Sequence, residues 1–178
     1  MKRYELSGIF VHPKWNPETL EYDAALLKLK TSLPYTPIRP ASALETALYA
    51  AQSTATVIGW GMTNPYYQIL PDILQEGDVP IVSDEDCAAR NGRWFIKESM
   101  VCADALTTNY DDLATSSCYG DSGGPLLVHS GAEPVQVGIV SWGFECSSTN
   151  THGVYSRVSA MSDFINSRPV ASHHLSRS

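Results

Sequence analysis

The chain has 178 residues, enough for one domain, or two small ones sharing a core, and for a sizeable apolar interior. Hydrophobic residues at 43% against charged residues at 17% fit a compact globule and exclude a disordered chain. The formal charge of -7 is dispersed without a run of like charges, which argues against a nucleic-acid partner.

In chain order, the opening "MKRYELSGIFVHP" starts basic, then meets Glu5 and offers only a short apolar patch at Ile9 to Val11, so it does not read as a signal peptide. No uninterrupted apolar stretch of about 18 residues occurs, and no membrane span is expected. Short runs rich in β-branched and aromatic residues then recur between turn formers: "GIFV", "AALLKL", "STATVIGWG", "DVPIV", "GPLLV", "VQVGIVSWG" and "GVYSRV". They predict antiparallel β structure, a barrel or a sandwich, with Lys28 and Lys30 on a solvent face. The proline cluster "LPYTPIRPAS", Leu33 to Ser42, predicts an extended connector between two lobes.

Two segments break the β pattern. "SDEDCAAR" predicts a short helix with Ser83 as N-cap and acid in its first turn. "SAMSDFINSR" predicts a terminal amphipathic helix, with Val158, Met161, Phe164 and Ile165 at helical spacing behind Ser159. The tail "PVASHHLSRS" has no apolar period, and His173 and His174 are expected to be solvated rather than metal ligands.

Four cysteines, Cys87, Cys102, Cys118 and Cys146, form an even set without a close C-x-x-C pair, favouring disulfides over a zinc site or four buried thiols. Sequence alone leaves all three pairings open. Bridged cysteines imply an oxidising compartment, extracellular or periplasmic.

The chemistry concentrates in "SSCYGDSGGPLLV". Gly120-Asp121-Ser122-Gly123-Gly124 fits the G-x-S-x-G pattern of a nucleophile elbow, but an elbow runs from strand into helix, whereas Pro125 to Val128 read as a strand after the turn. Glycines around Ser122 allow torsions and a close backbone approach that other residues resist.

With its flanks "GIVSWG" and "GVYSRV", this stretch resembles the chymotrypsin/trypsin-type serine endopeptidases. The likeness extends through "VHPKW", "YDAALLKL", "VIGWG", "LQEGDVPIVS" and "MVCA", from about Gly8 to Asn166. It implies an all-β fold of two antiparallel barrels with a C-terminal helix. On this chain it would divide into residual first-barrel strands over 1-32, a connector over 33-45, a complete second barrel over 46-158, the helix over 159-168 and a flexible tail over 169-178.

By the same resemblance Ser122 is the nucleophile, Asp23 the carboxylate that orients the base, and the N–H groups of Gly120 and Ser122 the oxyanion hole. Ser116 is the floor of the substrate pocket and Gly143 and Gly153 its open walls. An uncharged floor implies a preference for large apolar or aromatic side chains. Ser141, Trp142 and Gly143 imply the strand that pairs with an extended substrate, with Trp142 and Leu20 at adjacent subsites. The implied disulfides are Cys87–Cys102 and Cys118–Cys146, with Ala55 and Val128 where relatives often carry a further bridge. No cofactor or metal is implied; polypeptide substrates or protein inhibitors are the implied partners.

The base is missing from the pattern. The family's histidine lies several tens of residues before the aspartate, none of the five histidines fits, and His12 belongs to the loop signature "VHPKW". Met1 would correspond to a point inside the first barrel. Asp121, which in the family pairs with an inserted amino terminus, would lack its cation, so its loop is expected to collapse, rearrange or take up water. The uncovered strands predict poor solubility or self-association.

Three functions compete. The first is a secreted serine endopeptidase with an uncharged pocket, inactive as this chain alone because no general base is present. The second is a non-catalytic homologue acting as a binding or scaffold module. The third, a different acyl hydrolase using Asp163 and His173, would require the terminal helix to fold back on Ser122.

Overall fold

Alternation of apolar and polar residues places one side chain in two against a common interior, and the chain answers with strands. The computed structural model describes residues 2–64, 67–104, 115–146, 148 and 150–167, and its strands form two sheets. The smaller pairs β1 (Leu6–Val11) with β2 (Ala25–Leu29) in antiparallel register.

The larger sheet runs in the order β5 (Gln75–Pro80), β4 (Thr54–Gly59), β7 (Pro125–Ser130), β8 (Glu133–Trp142), β9 (Val154–Arg157), β6 (Met100–Cys102), each neighbour antiparallel. The ends of this path meet at a bridge between Ile81 and Ala103, beside which Val82 N–H donates to Cys102 C=O at 2.9 Å. The expected second barrel is thus a rolled sheet joined at one bridge. The proline-rich connector does not stay irregular: β3 (Arg39–Pro40) pairs in parallel with β8.

The roll encloses Val57, Val79, Leu126, Val135, Val137 and Tyr155. Packing there is tight enough to require glycine at 138, where a Cβ would stand 3.0 Å from the Cβ atoms of both Leu126 and Tyr155. Ala55 and Val128 flank the Thr56–Leu127 pair of β4 and β7, and both are buried in this core. Two apolar side chains therefore fill the space a further bridge would occupy.

Helix α1 (Asp84–Asn91) begins as its sequence predicts, with Ser83 Oγ accepting from Asp86 N–H at 3.1 Å. The terminal segment differs from a single helix capped by Ser159. It starts as a 3-10 turn, Val158–Met161, and continues as a five-residue helix α2 (Ser162–Asn166). Ser159 lies inside the 3-10 turn; its N–H donates to Tyr49 Oη at 3.1 Å, and Tyr49 Oη donates to Val137 C=O at 2.9 Å. Val158 and Met161 are buried as predicted. The tail with His173 and His174 lies outside the described residues.

Both disulfides form: Cys87–Cys102 with Cα atoms 6.1 Å apart, and Cys118–Cys146 with Cα atoms 5.1 Å apart. Among the described residues no helix is long and apolar enough to cross a membrane. The β1–β2 pair leaves Ile9 62%, Val11 57% and Leu27 58% exposed, so one of its faces is an apolar surface only partly covered among the described residues.

The first bridge closes a span of 15 residues around α1. Replacing Cys87 and Cys102 together by alanine is expected to cost about 2–4 kcal/mol of stability, mainly through the unfolded chain. Urea denaturation checks this, and an unchanged midpoint would contradict it.

Candidate active site

Ser122 sits on the turn that ends the Cys118–Cys146 bridge and feeds β7. Gly120 at φ 100° and Gly123 at φ 82° hold torsions that side chains rarely tolerate, which explains the glycines on either side of the serine. Asp121 anchors the turn. Its Oδ1 accepts from Gly61 N–H at 2.7 Å and its Oδ2 from Cys118 N–H at 2.9 Å.

Gly59 and Gly61 make room for that carboxylate, since a Cβ on either would collide with it. Two backbone donors thus satisfy the charged carboxylate. The N–H groups of Asp121, Gly123 and Gly124 are also spent, on Cys118, Val140 and Asp121 carbonyls. Among the described residues those of Gly120 and Ser122 donate to nothing.

Asp23 stands where the loop after β1 enters β2. Its Oδ2 accepts from Ser141 Oγ at 2.7 Å, and its backbone carbonyl from Ser156 Oγ at 2.7 Å. A carboxylate beside an apolar strand requires such a donor. These two bonds tie the small sheet to β8 and β9. Asp23, Ser122 and Ser141 line one cavity of about 720 Å³, walled by apolar residues such as Leu26, Val140 and Phe164.

No histidine lines that cavity among the described residues. His12 is buried, stacked on Tyr22 with centroids 4.8 Å apart, and its Nδ1 accepts from Lys14 N–H at 3.1 Å. Burial, helped by Lys14, holds its pKa below the usual histidine value. It is a structural residue of the loop. His129 is exposed on β7, and His152 is buried elsewhere.

A second cavity, of about 190 Å³, adjoins the first. Ser116, Ser122, Ser141, Trp142, Gly143 and Gly153 all line it. Gly143 and Gly153 face each other: a Cβ on Gly143 would stand 3.8 Å from Gly153 Cα. Behind them Tyr155 Oη donates to Ser117 Oγ at 3.2 Å, and burial pushes the phenol's pKa well up, keeping it a neutral donor. Trp142 meets Phe144 edge-on at 5.6 Å and, with Leu20, packs on the cluster around Val82 and Cys87.

Two acidic residues of this pocket, Asp104 and Glu145, are not among the site residues expected from the sequence. Asp104 lines the pocket, and its Oδ2 accepts from Gly153 N–H at 2.8 Å. The signal was weak: an acid two residues beyond Cys102, and a histidine beside Gly153. Among the described residues no group of three His, Cys, Asp or Glu side chains is arranged to hold a metal ion.

Comparison of the sequence with known proteins places the chain in a family. The family model described as Trypsin covers residues 1–165. "Serine proteinase stubble" of Drosophila melanogaster is 40% identical over 161 residues, which is 87% of this chain and 20% of that protein. "Trypsin-1" of Astacus astacus is 36% identical over 165 residues, covering 93% of this chain and 67% of the relative. "Hypodermin-A" of Hypoderma lineatum is 38% identical over 162 residues, 90% of this chain and 59% of the relative. The chain therefore spans only part of the length of these relatives, from a fifth to two thirds. On the extent of the family match, and on these identities, the chain belongs to the trypsin family of serine proteases.

Proposed function

We propose that this chain carries the nucleophile and the substrate-binding half of a secreted serine endopeptidase, one that cleaves polypeptides through an acyl-enzyme. Ser122 attacks the scissile carbonyl, and the unspent N–H groups of Gly120 and Ser122 receive the negative charge that develops on its oxygen. Asp23 orients the general base, and Ser141 keeps its carboxylate pointed into the cavity. The edge at Ser141, Trp142 and Gly143 pairs with the extended substrate.

The observation that carries this reading is the position of Ser122 on the shared lining of two cavities, one holding Asp23 and the other Ser116, Gly143 and Gly153. A reacting serine needs that placement, between the group that manages its proton and the slot that holds the residue to be cut. Ser116 carries no charge, so the slot takes large apolar or aromatic side chains. The two disulfides and the family support an oxidising compartment, outside the cell or in a periplasm.

The base itself is contributed from outside the described residues, and the chain alone is inactive. That same absence favours a second reading, a non-catalytic homologue serving as a binding or scaffold module. Chemical rescue separates the two, because the 720 Å³ cavity beside Ser122 and Asp23 is large enough for imidazole. A fluorophosphonate probe is expected to label the chain no more than its Ser122→Ala variant in plain buffer, and selectively once imidazole is added. Selective labelling without imidazole would contradict the missing base; none in either condition would favour the binding module.

The partly covered β1–β2 face drives the chain to self-associate. Ile9→Lys with Leu27→Lys is expected to shift it toward the monomer in sedimentation velocity. An unchanged distribution would place the contact elsewhere.

A further inference from the structure

Behind the wall of the smaller cavity lies a buried ion pair that the proposed chemistry does not use. His152 and Asp104 side chains are each only 4% exposed. Asp104 Oδ1 accepts from His152 Nδ1–H at 2.7 Å, and Oδ2 accepts from Gly153 N–H at 2.8 Å. The other ring nitrogen, Nε2, lies 3.1 Å from Asp86 Oδ2 on α1.

Both ring nitrogens thus face carboxylate oxygens, which only accept, an arrangement that an imidazolium with a proton on each nitrogen satisfies in full. Burial opposes the charge, but hydrogen bonding and charge from Asp104, then Asp86, outweigh it and raise the ring's pKa. The geometry favours the same state independently. The main chain of His152 is fixed as well: its N–H donates to Asn91 Oδ1 at 3.0 Å, and its carbonyl accepts from Asn91 Nδ2 at 2.8 Å. Arg90 Nε donates to Asp86 Oδ1 at 3.1 Å, completing a row of alternating charges from solvent to the pocket wall.

We propose that Asp104 is a specificity-determining residue of the Ser116 pocket and His152 its positioning residue. As an imidazolium, His152 cancels the Asp104 charge while holding that carboxylate against Gly153, so the pocket takes an uncharged side chain. Without the ring proton, it accepts a cationic one. This rests on the reading of that cavity as the substrate pocket.

The physical step is local. Loss of the Nε2 proton leaves a lone pair facing Asp86 Oδ2, and Asp86, half exposed on α1, swings out toward solvent and Arg90. Nδ1–H stays on Asp104, but the buried carboxylate no longer has a cation beside it. Its field then reaches a pocket whose other carboxylate, Glu145, is exposed and part of the lining in both states. Because the folded ring's pKa is raised, the neutralised pocket is fully present below the ordinary histidine range. It is lost as pH rises through the elevated value.

The test compares benzamidine, a planar cation, with benzamide, its neutral isostere, binding to the whole chain from about pH 6 to pH 9. The benzamidine-to-benzamide affinity ratio is expected to rise roughly ten-fold across this range in the wild type. It should stay flat and low in Asp104→Asn, and high at every pH in His152→Gln. A flat ratio in the wild type, the same rise in Asp104→Asn, or no binding of either probe would overturn the proposal.

Two-bond proton–nitrogen spectra of the wild-type histidines need no substitution. Two protonated nitrogens on His152 near neutral pH are expected, and a neutral tautomer there would overturn it too. Neither readout requires Ser122 to react, so failure of the peptidase reading leaves this test intact.

Discussion

The candidate site depends on one partly buried anchor, the carboxylate of Asp121 held by the N–H groups of Gly61 and Cys118. Hydrogen bonds from neutral donors to a charged acceptor contribute roughly 1.5–3 kcal/mol each. Together they set the turn that carries Ser122, fix one end of the Cys118–Cys146 bridge, and leave the donors of Gly120 and Ser122 without a partner among the described residues. The anchor requires the glycines at the end of β4, Gly59, and just beyond it, Gly61, since a Cβ at either would occupy the carboxylate's place. Two sequence motifs some sixty residues apart, "VIGWG" and "GDSGGP", are therefore one structural unit.

A second constraint works across the two sheets. Ser141 and Ser156, on β8 and β9, bind the side chain and the carbonyl of Asp23. The small sheet has little core of its own and exposes much of its apolar face, so these bonds, with the stacking of His12 on Tyr22 and its edge contact to Phe164, hold it in place. The residues that dock the small sheet also line the large cavity. Stability and the proposed proton management thus draw on the same side chains, and a change at Ser141 would disturb both.

Local physics made much of this legible before any coordinates. Strand alternation located the strands, Ser83 with Asp86 three residues on located the start of α1, and the glycines around Ser122 announced left-handed torsions. What escaped was non-local. One partner of Asp121, Cys118, is three residues away, but the other, Gly61, lies just beyond the end of β4, sixty residues earlier. Ser159 reads as a helix cap, but it lies inside a 3-10 turn, and its N–H is held by Tyr49, 110 residues earlier. Asp104 and His152 are 48 residues apart, with nothing in either neighbourhood to pair them. Residues whose roles depend on their own neighbours in sequence could be assigned; those whose partners arrive through the roll of the sheet could not.

The anchor at Asp121 admits a direct measurement. Asp121→Asn turns one acceptor oxygen into an NH₂ donor facing a backbone donor, while keeping the shape of the side chain. Isothermal titration with a polypeptide inhibitor presenting phenylalanine to the Ser116 pocket would compare the two proteins. Binding by the wild type, weakened roughly ten-fold or more in a variant that remains folded, is expected if the carboxylate sets the loop that receives substrate. Equal affinities, or no binding by the wild type, would contradict it.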